Sequence, residues 1–187
     1  MRRRVLFLGY NGQQTGLIDA ISIAGWDVIQ ESRQVEDLSE YDSVVSFGYR
    51  HILPVSVLAT APRPVINLHI SFLPWNRGAH PNFWSFYDGT PSGVSIHYID
   101  EGIDTGPILL QEQYKYASQA MTFRQTHADL VARIEALFVA NLEALLMHTI
   151  PAIAQTGSGS VHKLRDLPKE FVGWDSHIDA EIERLRQ

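Results

Sequence analysis

Apolar runs and helical patterns alternate along the first 70 residues of the chain. The apolar runs predict four short strands, at residues 5–9, 26–29, 43–47 and 65–69. Residues 15–24 place apolar side chains at helical spacing, and residues 54–59 begin with a proline suited to a first helical turn. This βαβ rhythm predicts a mostly parallel sheet that is covered by helices.

The second half of the chain follows a different pattern. Residues 70–81 and 100–107 are rich in proline, glycine and asparagine or aspartate, and are expected to form loops. The other predicted elements are a short helix at 82–87, strands at 93–99 and 108–114, one long helix at 122–147 and a short helix at 180–186. The tail, residues 152–187, has a weaker pattern, and its Gly/Ser stretch at 157–160 is flexible in composition.

Composition narrows the possible functions. The 187 residues carry a formal net charge of −6, which argues against binding of nucleic acid through its phosphate backbone. Cysteine is absent, which excludes disulfides, thiolate nucleophiles and Cys-ligated zinc. The apolar run behind the basic start is too short for a signal peptide, and residues 128–147 contain four charged residues. We therefore expect a cytoplasmic protein with no membrane span.

The turn after the first strand, Gly9-Tyr10-Asn11-Gly12, invites a dinucleotide-binding interpretation, and Glu31 falls where a ribose-binding acid would lie. The spacing is not G-x-G-x-x-G, so the glycine pair that allows close approach to a pyrophosphate is missing. We interpret Gly9 and Gly12 as residues that shape the turn.

Asn67 and His69 end the fourth predicted strand. Residues two apart on a strand face the same way, so both side chains should point into the ligand crevice at the carboxyl end of the sheet. Two convergent donors suit a developing oxyanion. The alternative is that His69 is a structural histidine bonded to a backbone carbonyl.

Longer motifs surround these two residues. Residues 67–78 read N-x-H-x-S-x-L-P-x-x-R-G, and a D-T-G loop follows at residues 104–106. This combination resembles the N10-formyltetrahydrofolate-dependent formyltransferases, a family that includes glycinamide ribonucleotide, methionyl-tRNA and sugar-nucleotide formyltransferases. The resemblance extends over residues 44–111, and it is looser over the first strand and the long helix.

The resemblance implies an α/β, Rossmann-like fold, a mostly parallel twisted sheet flanked by helices. It implies a catalytic domain at residues 1–150 with a shortened N-terminal half, and a C-terminal tail at 151–187 that packs on it. Asn67, His69 and Asp104 match the catalytic residues of the family. The expected binding residues for the folate co-substrate are Tyr49, Arg50, His51, Ile52, Leu53, Asp100, Gly102 and Ile103, and those for the acceptor are Ser71, Trp75 and Arg77.

The variant motif at residues 73–85 resembles enzymes of surface-polysaccharide biosynthesis, so a nucleotide-linked amino sugar is the expected acceptor. The alternatives are glycinamide ribonucleotide, hydrolysis of the formyl-folate, and a folate- or nucleotide-binding module without catalysis. Trp75 and Trp84 either stack on the acceptor or pack under the loop. No metal is expected, because the histidines lack metal-ligand spacing. Apolar tail residues 171–174 suggest a homodimer contact or packing on the domain itself.

Overall fold

The computed structural model describes residues 3–117 and 121–187. Its strands are β1 (Arg4–Gly9), β2 (Asp27–Glu31), β3 (Ser43–Phe47), β4 (Ile66–His69), β5 (Arg77–Gly78), β6 (Ser92–Tyr98), β7 (Ile108–Tyr114) and β8 (Val161–His162). Its helices are α1 (Leu17–Ile23), α2 (Val55–Leu58), α3 (Pro81–Tyr87), α4 (Phe123–Ala140), α5 (Leu142–Leu146) and α6 (Ile178–Leu185), with a 3₁₀ turn at Leu164–Asp166.

Six strands form the main sheet in the order β2-β1-β3-β4-β6-β7. The neighbours from β2 to β4 pair in parallel, and β6 runs antiparallel to both β4 and β7. The predicted α/β class and mostly parallel sheet are confirmed. The described segment 32–42, which connects β2 to β3, contains no helix or strand. Leu38 is the residue of this segment that is fully buried.

Alternating side chains of β1 enter two separate cores. Val5 and Phe7 belong to the core that α1, α4 and α5 cover, whereas Leu6 and Leu8 face the core closed by α2 and residues 35–41. Period-two burial on both faces is the pattern of a central strand in a sheet covered on both sides. The carboxyl ends of the parallel strands are thereby held rigidly at one edge.

The long helix predicted at 122–147 is divided. Thr122 caps α4 through a capping box with Gln125, and the helix ends at Ala140. Asn141 leaves helical geometry, with φ −121° and ψ 14°, and its side chain donates to the Leu137 carbonyl. Apolar side chains continue at helical spacing through this break, so the hydrophobic pattern did not reveal it.

The predicted loop at 70–81 contains a short strand. Arg77 and Gly78 form β5, which pairs in parallel with β8 of the tail. The Gly/Ser stretch is also held in place, because the Ser160 hydroxyl accepts from the Asn76 N–H at 2.8 Å. Both contacts are long-range, and neither has a local sequence signature.

Aromatic residues of the tail pack against the domain. Phe171 and Trp174 pack with Phe83 and Phe123 in a third apolar cluster, which α6 closes. Trp84 is buried and stacks on His162 at a ring distance of 4.0 Å. Trp84, Phe171 and Trp174 therefore pack within the domain. Val172 is the exposed apolar residue in the segment 171–174. Within the described ranges, no helix has the length and apolarity needed to span a membrane.

His148, just after α5, bonds to residues at the amino-terminal edge of the sheet. Its Nε2 lies 3.2 Å from the Ser43 hydroxyl, and its Nδ1 lies 3.0 Å from the hydroxyl of Tyr98, whose ring stacks on it. The backbone of His148 has a positive φ of 56°. Burial, reinforced by the positive charge of Arg63, lowers the pKa of His148 to about 4. The ring is therefore neutral in the folded protein at neutral pH.

We expect acidification to weaken the fold through His148. An unfolded histidine titrates near pH 6.5, so the unfolded chain takes up the proton first, and the free energy of unfolding falls as the pH drops from about 7 towards 4. With an allowance for partial exposure, the loss at about pH 5 is about 1–2 kcal/mol. Urea unfolding at about pH 7 and about pH 5 should show a smaller pH dependence for His148→Asn, a residue that tolerates positive φ. An unchanged pH dependence would contradict the assignment.

Candidate active site

Asn67 and His69 emerge from the carboxyl end of β4 into one cleft. The residues between and before them, Leu68 and Ile66, are buried in the core that α4 covers. The strand alternation therefore places two polar side chains on the open side of β4, as the sequence pattern predicts.

Asp104 joins these two side chains from the loop between β6 and β7. Its Oδ2 lies 3.6 Å from His69 Nε2 and accepts from the Gly78 N–H at 2.8 Å. Its Oδ1 accepts from Asn67 Nδ2 at 3.3 Å. The structure thus brings the three predicted catalytic residues into one cluster.

The loop that carries Asp104 is fixed from the tail. Gln155 Nε2 lies 2.8 Å from the carbonyl oxygens of both Asp104 and Gly106. A Cβ at Gly106 would lie 1.9 Å from the Tyr98 carbonyl oxygen, so the loop needs glycine there. Gln155 was not singled out from the sequence, because no local motif marks a residue that acts from the tail.

The ionisation of Asp104 reflects opposing effects. Burial alone would raise the pKa of this carboxyl group, but His69, His97 and the Gly78 N–H together hold it well below its usual range. The carboxylate is consequently charged at any pH at which the protein would work, and its Oδ2 faces the His69 ring at 3.6 Å.

His97 is a fourth member of the cluster, and no motif in the sequence singles it out. It is buried on β6, and its Nδ1 donates to the Tyr98 carbonyl at 2.8 Å. Its Nε2 lies 3.1 Å from Asn67 Nδ2 and 3.5 Å from Asp104 Oδ1. The neutral ring accepts from Asn67, and a second proton would convert Nε2 into a donor to Asp104.

The Asn67 amide is engaged within the cluster. Its two Nδ2 hydrogens are directed at His97 and Asp104, so the side chain must rotate before it can donate to an oxyanion. His69 Nε2 likewise lies 3.1 Å from the Asn76 carbonyl oxygen, which a protonated ring nitrogen satisfies.

A cavity of about 300 Å³, here called the Ile52 cavity, opens on one side of the cluster. Asn67, Asp104 and His97 form part of its wall, and all eight residues expected to contact a folate line it. Ile52 and Ile103 are 80% and 48% exposed, so apolar surface at its rim is available to a flat ring system.

A second cleft of about 240 Å³, here called the Pro81 cleft, opens on the other side. It shares Tyr49, Asn67 and Asp104 with the Ile52 cavity, so the cluster separates two adjoining spaces. Its further lining comes from Tyr10, Phe47, Gly48, Leu68, His69, Ile70, Gly78, Pro81, His127 and Val131.

The three expected acceptor residues do not line either space. The Ser71 hydroxyl is buried without a hydrogen-bond partner among the described residues. Arg77 donates through Nε and NH2 to the side-chain oxygen Oε1 of Gln155 at 3.1 and 2.7 Å, and it thereby supports the residue that holds the Asp104 loop. Trp75 lies in the same segment, partly exposed.

The turn after β1 borders a separate polar cavity of about 360 Å³, here called the Asn11 cavity. Amide side chains of Asn11, Gln14 and Gln30 line it together with Arg50 and His51. Across residues 3–117 and 121–187, no group of three or more histidines and carboxylates is arranged to hold a metal ion.

Sequence comparison identifies the family. A model described as formyl transferase matches residues 27–137, more than half of the chain. Methionyl-tRNA formyltransferase from Lachnospira eligens is 36% identical over 159 residues, 81% of this chain and 49% of that protein. GDP-perosamine N-formyltransferase from Brucella melitensis is 34% identical over 128 residues, 68% of this chain and 48% of that protein. The chain spans about half the length of these curated relatives.

A solved structure matches over nearly the full length. The formyltransferase PseJ from Anoxybacillus kamchatkensis, in complex with UDP-4,6-dideoxy-4-formamido-L-AltNAc and tetrahydrofolate, superposes with a TM-score of 0.89 at 36% identity. The match covers 97% of this chain and 99% of PseJ. With the family model, the sheet order and the cluster beside two cavities, it leads to one conclusion: the chain belongs to the formyl transferase family.

Proposed function

We propose that this protein transfers the formyl group of N10-formyltetrahydrofolate to the amine of a nucleotide-linked amino sugar. The observation that carries the proposal is the Asn67, His69 and Asp104 cluster between two adjoining cavities. Such an arrangement suits direct transfer, because a donor on one side and an acceptor on the other meet at the same groups.

The Ile52 cavity is the proposed donor site. Its exposed apolar residues Ile52 and Ile103 would cover a pterin, and the backbone of the loop at 100–104 would meet the polar edge of the ring. PseJ, which shares 36% of its residues with this chain, was solved with tetrahydrofolate.

The proposed reaction needs only groups that the cluster contains. The amine nitrogen attacks the formyl carbon, and the resulting oxyanion is stabilised by protonated His69 and by Asn67 after rotation of its amide. Collapse breaks the bond from carbon to N10. The amine loses one proton, which Asp104 accepts directly or through water, and N10 gains one as tetrahydrofolate leaves.

An amino sugar is favoured over the other acceptors. PseJ carries a formamido sugar linked to UDP, and GDP-perosamine N-formyltransferase is among the relatives. The net charge of −6 disfavours tRNA, and the turn after β1 lacks the glycine/serine pattern expected for glycinamide ribonucleotide. We place the reaction in the synthesis of surface polysaccharide.

The direct test combines protein, N10-formyltetrahydrofolate and a panel of UDP- and dTDP-linked amino sugars. The expected products are tetrahydrofolate, followed by absorbance, and a formamido sugar, identified by mass spectrometry. If only glycinamide ribonucleotide or only methionyl-tRNA is formylated, that molecule is the acceptor and the amino-sugar assignment is wrong. Formate release without any amine would indicate hydrolysis, and failure to bind folate in calorimetry would refute the proposal.

Replacing the catalytic groups should reduce turnover without loss of folate binding. We expect His69→Ala and Asp104→Asn each to lower kcat by about 10²–10³, because each removes charge stabilisation that develops in the transition state. Asp104→Asn keeps an acceptor for the Gly78 N–H, so the loop should remain in place. His148→Asn, at the opposite edge of the sheet, serves as the control and should retain activity at neutral pH. Near-normal kcat in both variants would remove these residues from the mechanism.

An aspartate at Ile52 should weaken folate binding. Loss of an apolar contact of this size corresponds to about 1.5–3 kcal/mol when fully buried, so the Kd should rise by about tenfold or more. Ile23→Asp is the matched control, since Ile23 is 86% exposed on α1 and lines none of the three cavities. Titration calorimetry with a stable formyl-folate analogue measures both. An equal effect of the two substitutions would place the folate elsewhere.

A further inference from the structure

His69 faces two acceptors, and the nearer one is a backbone carbonyl. Its Nε2 lies 3.1 Å from the Asn76 carbonyl oxygen and 3.6 Å from Asp104 Oδ2. The second distance is longer than a hydrogen bond between nitrogen and oxygen. Because a carbonyl oxygen can only accept, the first contact requires a hydrogen on Nε2. The group that orients the His69 ring in this structure is therefore the main chain at residue 76.

The two histidines of the cluster are held as opposite tautomers. The Nδ1 of His97 donates to the Tyr98 carbonyl at 2.8 Å, which leaves its Nε2 without a hydrogen in the neutral ring. In His69 the hydrogen is on Nε2, so Nδ1 is the nitrogen that remains for reactants in the Pro81 cleft, which His69 lines. When the His69 ring is charged, its Nδ1–H is the donor that remains for an oxyanion.

The residue that supplies this carbonyl is completely buried. Asn76 is 0% exposed and has φ 56°, a left-handed conformation that asparagine tolerates better than most residues. Its Nδ2 donates to the Thr90 hydroxyl at 2.8 Å, and its Oδ1 accepts from the Ser160 hydroxyl at 3.1 Å. Since an amide buried this deeply needs its hydrogen bonds, the two hydroxyls fix the orientation of residue 76. Asn76, Thr90 and Ser160 are here called the Asn76 latch.

Ser160 holds the latch from the tail. Its hydroxyl also accepts from the Asn76 N–H at 2.8 Å, and its own N–H donates to the Pro74 carbonyl at 3.2 Å. Its carbonyl accepts from the Arg77 N–H at 3.0 Å. One tail residue thus bonds the main chain on both sides of Asn76. A simple turn would need only a residue that permits a positive φ, such as glycine.

We propose that the Asn76 latch positions His69 for catalysis by committing Nε2–H to the residue 76 carbonyl and leaving Nδ1 to the reacting groups. The inference rests on the proposed function and deepens it, because it assigns the orientation of His69 to residues outside the substrate sites. None of the three latch residues lines the Ile52 cavity or the Pro81 cleft. They are positioning residues, and they give the tail a part in the reaction.

Asn76→Gly tests the latch, because glycine keeps the left-handed backbone and removes the side chain. We expect kcat for formyl transfer to fall by about tenfold with unchanged KM for both substrates, since His69 is misplaced while both cavities keep their lining. Thr90→Val should also lower kcat, and Thr90→Ser, which retains the hydroxyl, should restore it. Asn76→Gly combined with Ser160→Ala should lower kcat by less than the product of the two separate effects.

Ser43→Ala is the matched control. It removes a buried serine hydroxyl that bonds to His148 at the opposite edge of the sheet, and it should retain the wild-type kcat. Urea unfolding checks that each variant is folded. If Asn76→Gly does not fold, the Thr90→Val and Thr90→Ser pair carries the same test.

NMR provides a readout that is independent of turnover. The chain has eight histidines, and in protein labelled with 15N-histidine the His69 signal is assigned by its absence in His69→Gln. We expect a His69 Nε2–H that exchanges slowly with water in the wild type and in Ser43→Ala. Its exchange should be about tenfold faster in Asn76→Gly, because the acceptor is no longer fixed.

A neutral His69 ring with its hydrogen on Nδ1 overturns the inference even if formyl transfer occurs. So does a wild-type kcat in folded Asn76→Gly, or an equal loss of kcat in Thr90→Val and Thr90→Ser. A slowly exchanging Nε2–H that Asn76→Gly exposes to exchange, in a protein without formyl transfer, refutes the proposed reaction and supports the latch.

Discussion

The site depends on a carboxylate that is almost buried. Asp104 gives up most of its hydration, a loss that only compensating charges and hydrogen bonds can offset. The compensation comes from three separate parts of the chain: Asn67 and His69 on β4, the Gly78 N–H on β5, and His97 on β6. Because these contacts converge on one group, the strands and loops that supply them must be held in fixed register.

The tail holds part of that register. Gln155 bonds the Asp104 loop and Arg77 at once, and the pairing of β5 with β8 holds the Gly78 N–H towards the carboxylate. A Cβ at Gly78 would lie 2.3 Å from the His162 carbonyl oxygen, so this pairing requires glycine. The glycine of the motif at residue 78 therefore serves strand pairing to the tail as well as the contact to Asp104.

The sequence predicts what local physics determines. Strands β3 and β7 follow from short runs of strand-forming residues, and the shared face of Asn67 and His69 follows from the period of two along a strand. The family resemblance supplied Asp104. The break at Asn141 and the strand inside the 70–81 loop have no hydrophobic signal, because side-chain hydrogen bonding and tertiary pairing produce them. His97 was missed because a buried histidine on a strand most often has a structural role. Gln155 and Trp174 act across long sequence separations, which no periodicity reports.

Charge distribution adds a physical reason for a small acceptor. A chain with net charge −6 repels a polyanion over distances comparable to the Debye length, roughly 8–10 Å at physiological salt. The Pro81 cleft has a volume of about 240 Å³, and Asp104 is the one carboxylate among its lining residues, so a small acceptor inside it meets little of this repulsion. Long nucleic acid meets the acidic surface as a whole, whereas a compact acceptor meets only the cleft. The same acidity that disfavours tRNA is thus compatible with the small amino-sugar acceptor proposed for this site.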